Sequence, residues 1–413
     1  MTGQGYARNL TALATCQALF FMANTIVITV TALVGLQYAP APSLASLPLG
    51  LQFFGTMAAT LPAAFLMQRC GRRLGFQIGS LFGVAAGVVG WDAILRGSFT
   101  RFCLAGVLYG VFGSFGQFYR FAAADAANAA TDDAVAAAAM RGRAIGWVMA
   151  GGTVAALLGP LLARATRDLW APIAFAGCFA AIAVLAGLVG LAVTWLDPLR
   201  PRAVAGAGTG RPLLAIARRP AAITAFLAAL VAYVTMSLLM TATPLAMLAC
   251  GYGFSETATV IQWHVLGMFA PSFATGYLIA RFGPPRLILT GIAMMAACAT
   301  VSLLGIDIVH FALGLFLLGA GWNLMFIGAT TLLTGCHTEA EKAKVQGLND
   351  FVVFTTVGIS ASLAGALHHL LGWQALNLLA LPGLALVAAI VLFGIGVRPT
   401  PPGLPSGLAR PPA

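Results

Sequence analysis

Charge is what this sequence has least of. Only 8% of its 413 residues are Asp, Glu, Lys or Arg, against about 25% in soluble proteins. Eleven residues are acidic, and of the 22 basic ones only Lys342 and Lys344 are lysines. With 60% apolar residues and a mean hydropathy of +0.94, a chain in water would present large apolar patches and aggregate. An integral membrane protein is therefore expected. Paired cysteines are also lacking: the seven are scattered, and no two lie within four residues. That argues against a zinc or dithiol site and for small buried thiols. No Gly-x-Ser-x-Gly elbow and no Walker phosphate loop occur, so neither an acyl-transfer enzyme nor a self-sufficient ATP-driven pump is indicated. The chain is read as a non-enzyme without cofactor or metal. The net charge of +11 reports membrane orientation rather than nucleic-acid binding.

What is present is a series of apolar runs near 20 residues long, the length that crosses a bilayer as a helix. Twelve are read: 10–36, 45–67, 74–95, 102–124, 144–164, 170–195, 221–249, 257–280, 287–306, 310–334, 345–369 and 373–396. Unbroken runs of this length exclude a barrel of alternating strands. The first run is too long for a signal peptide and reads as a span. Twelve helices use about 240 residues, leaving no loop for a soluble catalytic domain. Seventeen basic residues then fall in loops or ends on one face, and four (Arg96, Arg101, Arg164 and Arg167) on the other. By the positive-inside rule the first face is cytoplasmic, with both termini inside. The longest interruption, 196–220, is rich in Pro, Gly and Arg and reads as a cytoplasmic linker. It divides the chain into six-helix bundles, 1–195 and 221–397. The proline-rich tail 398–413 reads as disordered.

The halves echo each other. Phe65-Leu-Met-Gln-Arg-Cys-Gly71 follows span 2, and Tyr277-Leu-Ile-Ala-Arg-Phe-Gly283 follows span 8 at an offset of 212. Arg141-Gly-Arg-Ala-Ile-Gly146 and Lys342-Ala-Lys-Val-Gln-Gly347 recur at an offset of 201. A parallel duplication of this kind is found among secondary transporters. The loop after span 2 resembles the major facilitator superfamily signature Gly-x-Leu-x-Asp-Arg-x-Gly-Arg-Arg. It matches at Leu66, Arg69, Gly71, Arg72 and Arg73, and departs at Ala64 and Gln68. Gly276, Leu278, Arg281 and Gly283 match in the second half. Gly159-Pro160 faintly resembles an antiporter element, whereas the Arg that opens span 4 in proton-coupled drug exporters is missing. Met240-Thr-Ala-Thr-Pro244, Ile261-Gln-Trp-His264 and Gly321-Trp-Asn323 look similar to a bacterial subgroup mostly without assigned substrates, a few members carrying a riboflavin-uptake label. The resemblance implies an all-α membrane protein of twelve helices in two pseudo-repeat bundles. It implies a secondary transporter of the bacterial inner membrane that moves a small solute by alternating access. A vitamin carrier of the riboflavin type, a drug or metabolite exporter, and a non-transporting sensor or assembly factor are the alternatives. A monomer in the lipid bilayer is expected, and H+ and Na+ both stay open as coupling ions.

The resemblance also implies that spans 1, 4, 7 and 10 line a central cavity. Amides in hydrocarbon are costly unless paired, so polar stripes should face inward. The cavity candidates are Gln17 and Asn24 in span 1, Tyr109, Gln117 and Arg120 in span 4, and Tyr233 in span 7. Gln262, Trp263 and His264 in span 8 and Trp322 and Asn323 in span 10 complete the set. Each serves equally as interhelical glue. Amides and rings together suit a polar, planar or ring-bearing solute. His264 is a titratable candidate, or a neutral histidine bonded to a neighbouring helix. The gating candidates are Arg69, Gly71, Arg72, Asp125, Arg281, Gly283 and Asp350. The family implies an Arg72–Asp125 pair. Charges inside spans require an account: Arg120, about 27 Å into span 4, and Asp350, about 8 Å into span 11, are expected to pair when the inner side closes. Arg120 could instead snorkel or bind an anion, and Asp350 gains from its helix N-terminus.

Overall fold

The structure, a computed structural model, describes residues 3–131, 133–197, 210–338 and 341–394. The tail 398–413 and most of the expected linker, 198–209, lie outside them. The described residues are helical, with no strand among them. The helices are α1 (Gly3–Tyr38), α2 (Leu47–Cys70), α3 (Arg72–Leu95), α4 (Phe99–Gly116), α5 (Tyr119–Ala130), α6 (Ala134–Met149), α7 (Gly151–Arg167) and α8 (Ala176–Val193). They continue with α9 (Leu213–Ala217), α10 (Pro220–Ala249), α11 (Phe254–Phe269), α12 (Ser272–Phe282), α13 (Pro284–Leu304), α14 (Ile308–Thr334) and α15 (Lys342–Leu392). Among the described residues eleven helical stretches are long and apolar enough to cross a bilayer. The last of them turns at Gly372, where φ is 79°, and so supplies two crossings.

Three crossings are broken in ways the apolar runs did not disclose. The fourth is α4 plus α5, interrupted at Gln117-Phe118; the fifth is α6 plus α7, interrupted at Ala150; the eighth is α11 plus α12, interrupted at Pro271. Proline lacks the N–H that continues the helical ladder, and freed carbonyls within a membrane need other donors. At Pro271 the donor is Asn323, whose Nδ2 gives hydrogen bonds to Met268 O and Ser272 Oγ, both 2.7 Å away. Pro160 and Pro244, by contrast, lie inside continuous helices.

The duplication is visible in the backbone. Gly71 and Gly283, 212 positions apart, turn the chain with φ of 85° and 78°, a region glycine enters without steric cost. A Cβ on Gly110 of α4 would meet Gln52 O at 2.1 Å, and one on Gly319 of α14 would meet His264 O at 2.4 Å. Gln52 and His264 are again 212 apart. Each half therefore seats the same pair of spans backbone to backbone, which only glycine allows.

The apolar interior forms two large clusters and a small third one, Ala32, Ala45 and Leu245, which joins α1 to α10. One of the large clusters runs from Leu13 to Leu196 with Phe254 and Ala258 added, and the other from Ile216 to Val391 with Ile28 and Ala156 added. Outward faces carry rows such as Val184, Leu188 and Leu191 on α8, all exposed. In a bilayer such a row is solvated by lipid.

The halves meet along two main seams, α2 with α15 and α7 with α11, and α1 also touches α10. Both seams are closed at the face opposite the basic loops. There Ser46 Oγ donates to Ser362 O and accepts from the Gly365 N–H, at 2.9 and 2.8 Å. Arg164 Nη2 donates to Thr259 Oγ1 at 2.5 Å. The Arg167 guanidinium stands 5.4 Å from the rings of Phe175 and Phe254, one from each half of the chain. Contact continues inward to Thr355 against Met57 and Phe269 against Gly152, and then stops. Leu61 and Phe351, one turn further on, are 77% and 55% exposed. A Cβ on Gly146, Gly276 or Gly347 would have nothing within 4 Å among the described residues. The two halves are thus parted at the basic face.

The four basic residues on the opposite face have local partners. Arg96 and Arg101 both pair with Asp92, at 2.6 and 2.5 Å; Arg164 holds the seam, and Arg167 lies 3.5 Å from Asp168. At the basic face the second cluster carries a clamp. Arg211 bonds Glu341 through Nε at 2.8 Å and Nη2 at 2.6 Å, and its N–H adds a third bond at 2.8 Å. Arg211 holds the Glu341 carboxyl well below the usual carboxylate range, helped by the Thr338 N–H and opposed by burial.

Candidate functional site

Where the seams part, a cavity of about 290 Å³ lies between the halves. Its two walls differ in chemistry. The wall from the first half carries most of the polar groups: Asn24 of α1, Gln52 and Thr56 of α2, Gln117 at the α4–α5 break, and Arg120 of α5. Phe20, Phe21 and Phe53 stand beside them. The wall from the second half is aromatic: Tyr233 of α10, Trp322 and Phe326 of α14, and Phe354 of α15. Trp322 and Phe326 are stacked, with centroids 5.5 Å apart and planes 8° from parallel. Spaced four apart on α14, they share one face. Tyr233 sits edge-on to both, at 5.0 and 4.8 Å. Met149, Met236, Met240 and Met268 add adaptable, polarizable surface, and Ile28, Phe269, Ser272, Asn323 and Ile327 are also on the perimeter.

Six of the eleven sequence-derived cavity candidates line this space: Asn24, Gln117, Arg120, Tyr233, Trp322 and Asn323. The amide of Asn323 is fully engaged, however. Besides the two bonds at the Pro271 break, its Oδ1 accepts from Thr275 Oγ1 at 2.9 Å. Asn323 therefore shapes the wall by holding α11 and α12 at their bend.

The other five lie elsewhere. Gln17 is buried in the first half; seven residues before Asn24, it sits about 10 Å along the α1 axis from it. Tyr109 is buried against Phe112, with centroids 5.8 Å apart, and borders only a minute void of about 10 Å³. Gln262 reaches across the closed seam to Leu157 O at 3.4 Å. Trp263 is 47% exposed and edge-on to Phe316, on the outside of the bundle. His264 is fully buried, its Nδ1 2.9 Å from Leu315 O. The physical reason for the span 8 misplacements is the roll of α11: it turns one flank to α7 and another to α14, and only its last residues reach the cavity.

Sequence reasoning missed Gln52, Thr56 and Phe354, because it drew no candidates from spans 2 and 11, and it missed Ser272, because in span 8 it chose residues nearer the start of the helix. A signal was available for Gln52, an amide deep in an otherwise apolar run. Gln52 Nε2 donates to Asn24 Oδ1 at 3.3 Å. Thr56 Oγ1, one turn on, is 3.1 Å from Gln52 O and 3.0 Å from Gly110 O.

Among the gating candidates, Arg72 and Asp125 are paired. Arg72 Nε and Nη2 lie 3.0 and 2.9 Å from Asp125 Oδ2. Both residues belong to the first half, so the pair ties α3 to α5 rather than one half to the other. Arg69 lies over the Phe65 ring at 4.2 Å, and its repeat counterpart Arg281 donates to Tyr277 Oη at 3.1 Å. The expected Arg120–Asp350 pair is not formed: the two are not within ion-pair distance. Arg120 lies 4.9 Å over Phe121, and Asp350 accepts from Asn349 Nδ2 at 3.3 Å. They stand on opposite sides of a mouth that is open here.

A sequence model of the Major Facilitator Superfamily matches residues 13–270 and 225–413. A riboflavin transporter of Brucella anthropi, RfnT, is 43% identical over 399 residues, covering 96% of this chain and 97% of its own. YdeG of Bacillus subtilis, described as an uncharacterized MFS-type transporter, is 28% identical over 370 residues, 85% of this chain and 84% of its own. The crystal structure of a D-xylose-proton symporter superposes with a TM-score of 0.73 at 16% identity, over 96% of this chain and 98% of that one, a likeness of fold. With twelve crossings, a repeated backbone, a cavity between two halves and a family match over almost its whole length, the chain belongs to the major facilitator superfamily and is a membrane transporter of that family.

Proposed function

We propose that this transporter carries riboflavin, or a flavin that keeps the same ring, across the bacterial inner membrane by alternating access. The observation that carries this reading is a cavity that sets a cluster of rings from the second half against the amides and guanidinium of the first. The isoalloxazine ring is planar and divided in the same way, with a methylated benzenoid end and a hydrogen-bonding pyrimidine end. The rings of Tyr233, Trp322, Phe326 and Phe354 suit the first, and Asn24, Gln52, Gln117 and Arg120 the second. Ligand sites typically join mostly apolar linings to a few placed polar groups, in volumes from about 300 Å³. The identity with RfnT over nearly the full length of both chains supports the same solute.

The test is uptake of labelled riboflavin by cells or vesicles containing the protein. Saturable uptake, displaced by unlabelled riboflavin and accelerated by an inward proton gradient, is expected. Asp350 is the coupling carboxylate in this reading, because Asp92 and Asp125 are already held in ion pairs. Riboflavin binding without movement would point to a sensor, and neither binding nor movement would overturn the proposal.

In the same reading the basic face is cytoplasmic, the chain acts as a monomer, and residues 1–195 and 221–397 are the two rocking bundles. A cytoplasmic reporter joined after residue 208 should then be active, and a periplasmic reporter inserted at Gly97 likewise. The reverse pattern would invert the orientation and turn the open mouth outward.

A further inference from the structure

A second cavity between the halves, of about 320 Å³, lies on the face opposite the basic loops. It is close in size to the central one, and α1 contributes to both. From Asn24 in the central cavity to Gln37 in the outer one is about 20 Å along that helix. Between them Ala32 of α1 packs on Leu245 of α10, both buried, so at that level the halves are in contact.

The outer cavity repeats the chemistry of the central one. The first half brings a guanidinium and an amide, Arg167 and Gln37, and the second brings the rings of Tyr252 and Phe254. The Arg167 side chain is 39% exposed, and Gln37 is exposed. The hydroxyls in the lining are engaged: Tyr252 Oη donates to Ile306 O at 3.1 Å, and Thr257 Oγ1 to Gly253 O at 3.0 Å. The polar side chains open to a ligand are therefore Arg167 and Gln37, a donor fork and an amide that both donates and accepts. Asp168 lies 3.5 Å from the guanidinium, and the Glu256 carboxylate stands beside Gly253. A free anion gains little there, whereas a neutral ring with an electronegative edge suits both side chains. Leu33, Leu36 and Leu248 supply the apolar remainder.

Phe175 and Phe254, each 8% exposed, form the floor. Among the described residues Phe175 is the one other than glycine with a left-handed backbone, at φ 70°. A bulky side chain is disfavoured in that region, and such strain persists where the surroundings hold it. Here the Phe175 N–H donates to Arg167 O at 2.8 Å. The strained turn delivers its ring to Phe254, with centroids 5.2 Å apart, under the Arg167 guanidinium. The contact of Arg167 with Phe254 crosses from one half to the other, so it parts when the outer side opens.

We infer that the outer cavity is a docking site for the planar ring of the incoming solute, which settles against Tyr252, Phe175 and Phe254 with its electronegative edge toward Arg167 and Gln37. The inference rests on the flavin reading above and adds a second place where the flavin is held, outside the closed seam. The solute is collected there while the inner mouth is open, beside the contact whose parting admits it.

The experiment follows alkylation of Leu248→Cys, a position 48% exposed in the cavity lining, in the full-length protein in vesicles. A membrane-impermeant maleimide and riboflavin are applied to the face opposite the basic loops. Cys250, exposed two residues away, is replaced by Ser. Alkylation should slow saturably with riboflavin, by about fivefold at about four times the concentration that halves the rate, as the mass-action factor requires. Arg167→Met, which removes a charged donor, should raise the half-rate concentration at least about tenfold, and Gln37→Leu about threefold. A rate unchanged up to the solubility limit of riboflavin would overturn the inference while leaving the flavin reading, checked by uptake into the same vesicles, intact. So would acceleration, the sign of an outer side opening around solute bound at the centre. Protection with the same riboflavin dependence in both variants would place the closure elsewhere and overturn the inference too. If Arg167→Met does not fold, Gln37→Leu, altered at an exposed side chain, decides by itself. Absence of both flavin uptake and flavin binding would overturn the flavin reading and the inference together.

Discussion

Trp322→Ala is expected to weaken flavin binding by roughly 30-fold or more, with near-normal amounts of folded protein. Trp322 is the centre of the aromatic wall, stacked on Phe326 and met edge-on by Tyr233. Buried aromatic anchors at the centre of a binding surface typically cost about 2 kcal/mol or more on truncation, and every 1.4 kcal/mol is a factor of ten. Trp322→Phe should recover most of the stacking and lose the Nε1–H, so it separates the ring's contribution from that of its donor. Titration of the purified variants, with Tm measured alongside, checks this. A fall in Tm that accounts for all of the lost binding would make Trp322 a packing residue. Unchanged affinity would remove the aromatic wall from the site.

The second large effect concerns the pair below the cavity. Asp125→Ala should lower the Tm of the detergent-purified protein sharply, because it strands the Arg72 guanidinium, whose side chain is only 8% exposed. Breaking a buried pair by removing one member costs about 3–5 kcal/mol, whereas replacing both with apolar residues is often neutral. The double variant Arg72→Met with Asp125→Leu should therefore be more stable than Asp125→Ala alone. Strict additivity of the single and double changes would mean that the two charges act apart. Because both belong to the first half, the double variant should keep the halves able to rock. Loss of transport at full stability would instead give the pair a gating role.

The fold was legible because a bilayer demands long apolar helices and because the duplication left marks at turns. Gly71 and Gly283 are placed by conformations that side chains rarely adopt, so their spacing survives in the sequence. The site was legible in part. Tyr233 and Trp322 could be found as rings in spans assigned to the centre, but α10 and α14 are buried on nearly every side, so apolar periodicity has little contrast from which to choose the inward face. Gln262 and His264 looked like cavity residues for the same reason that Gln52 was one, a polar group in hydrocarbon. Only the packing shows that Gln262 reaches the closed seam and that His264 reaches a carbonyl of α14. Nor does the sequence state which way the gate stands. Arg120 and Asp350 can be matched by depth, but their distance depends on a rocking motion of which the structure holds one extreme.

The clamp at Glu341 bears on how the two halves are joined. Asp197, at the end of the first half, is held by Arg8 and by Asn9 Oδ1, which accepts from its N–H at 2.8 Å. Arg211, at the start of the second half, is held by Glu341 and Lys344. Each half therefore secures its own end of the connection. What the halves require of the thirteen peptide steps from 197 to 210 is reach, about 45 Å at full extension. Their alignment comes from the seams. The transporter is in this sense a dimer of unlike subunits that happen to be translated as one polypeptide, and a stop codon and a new start within 198–209 would leave both subunits with their ends already fastened.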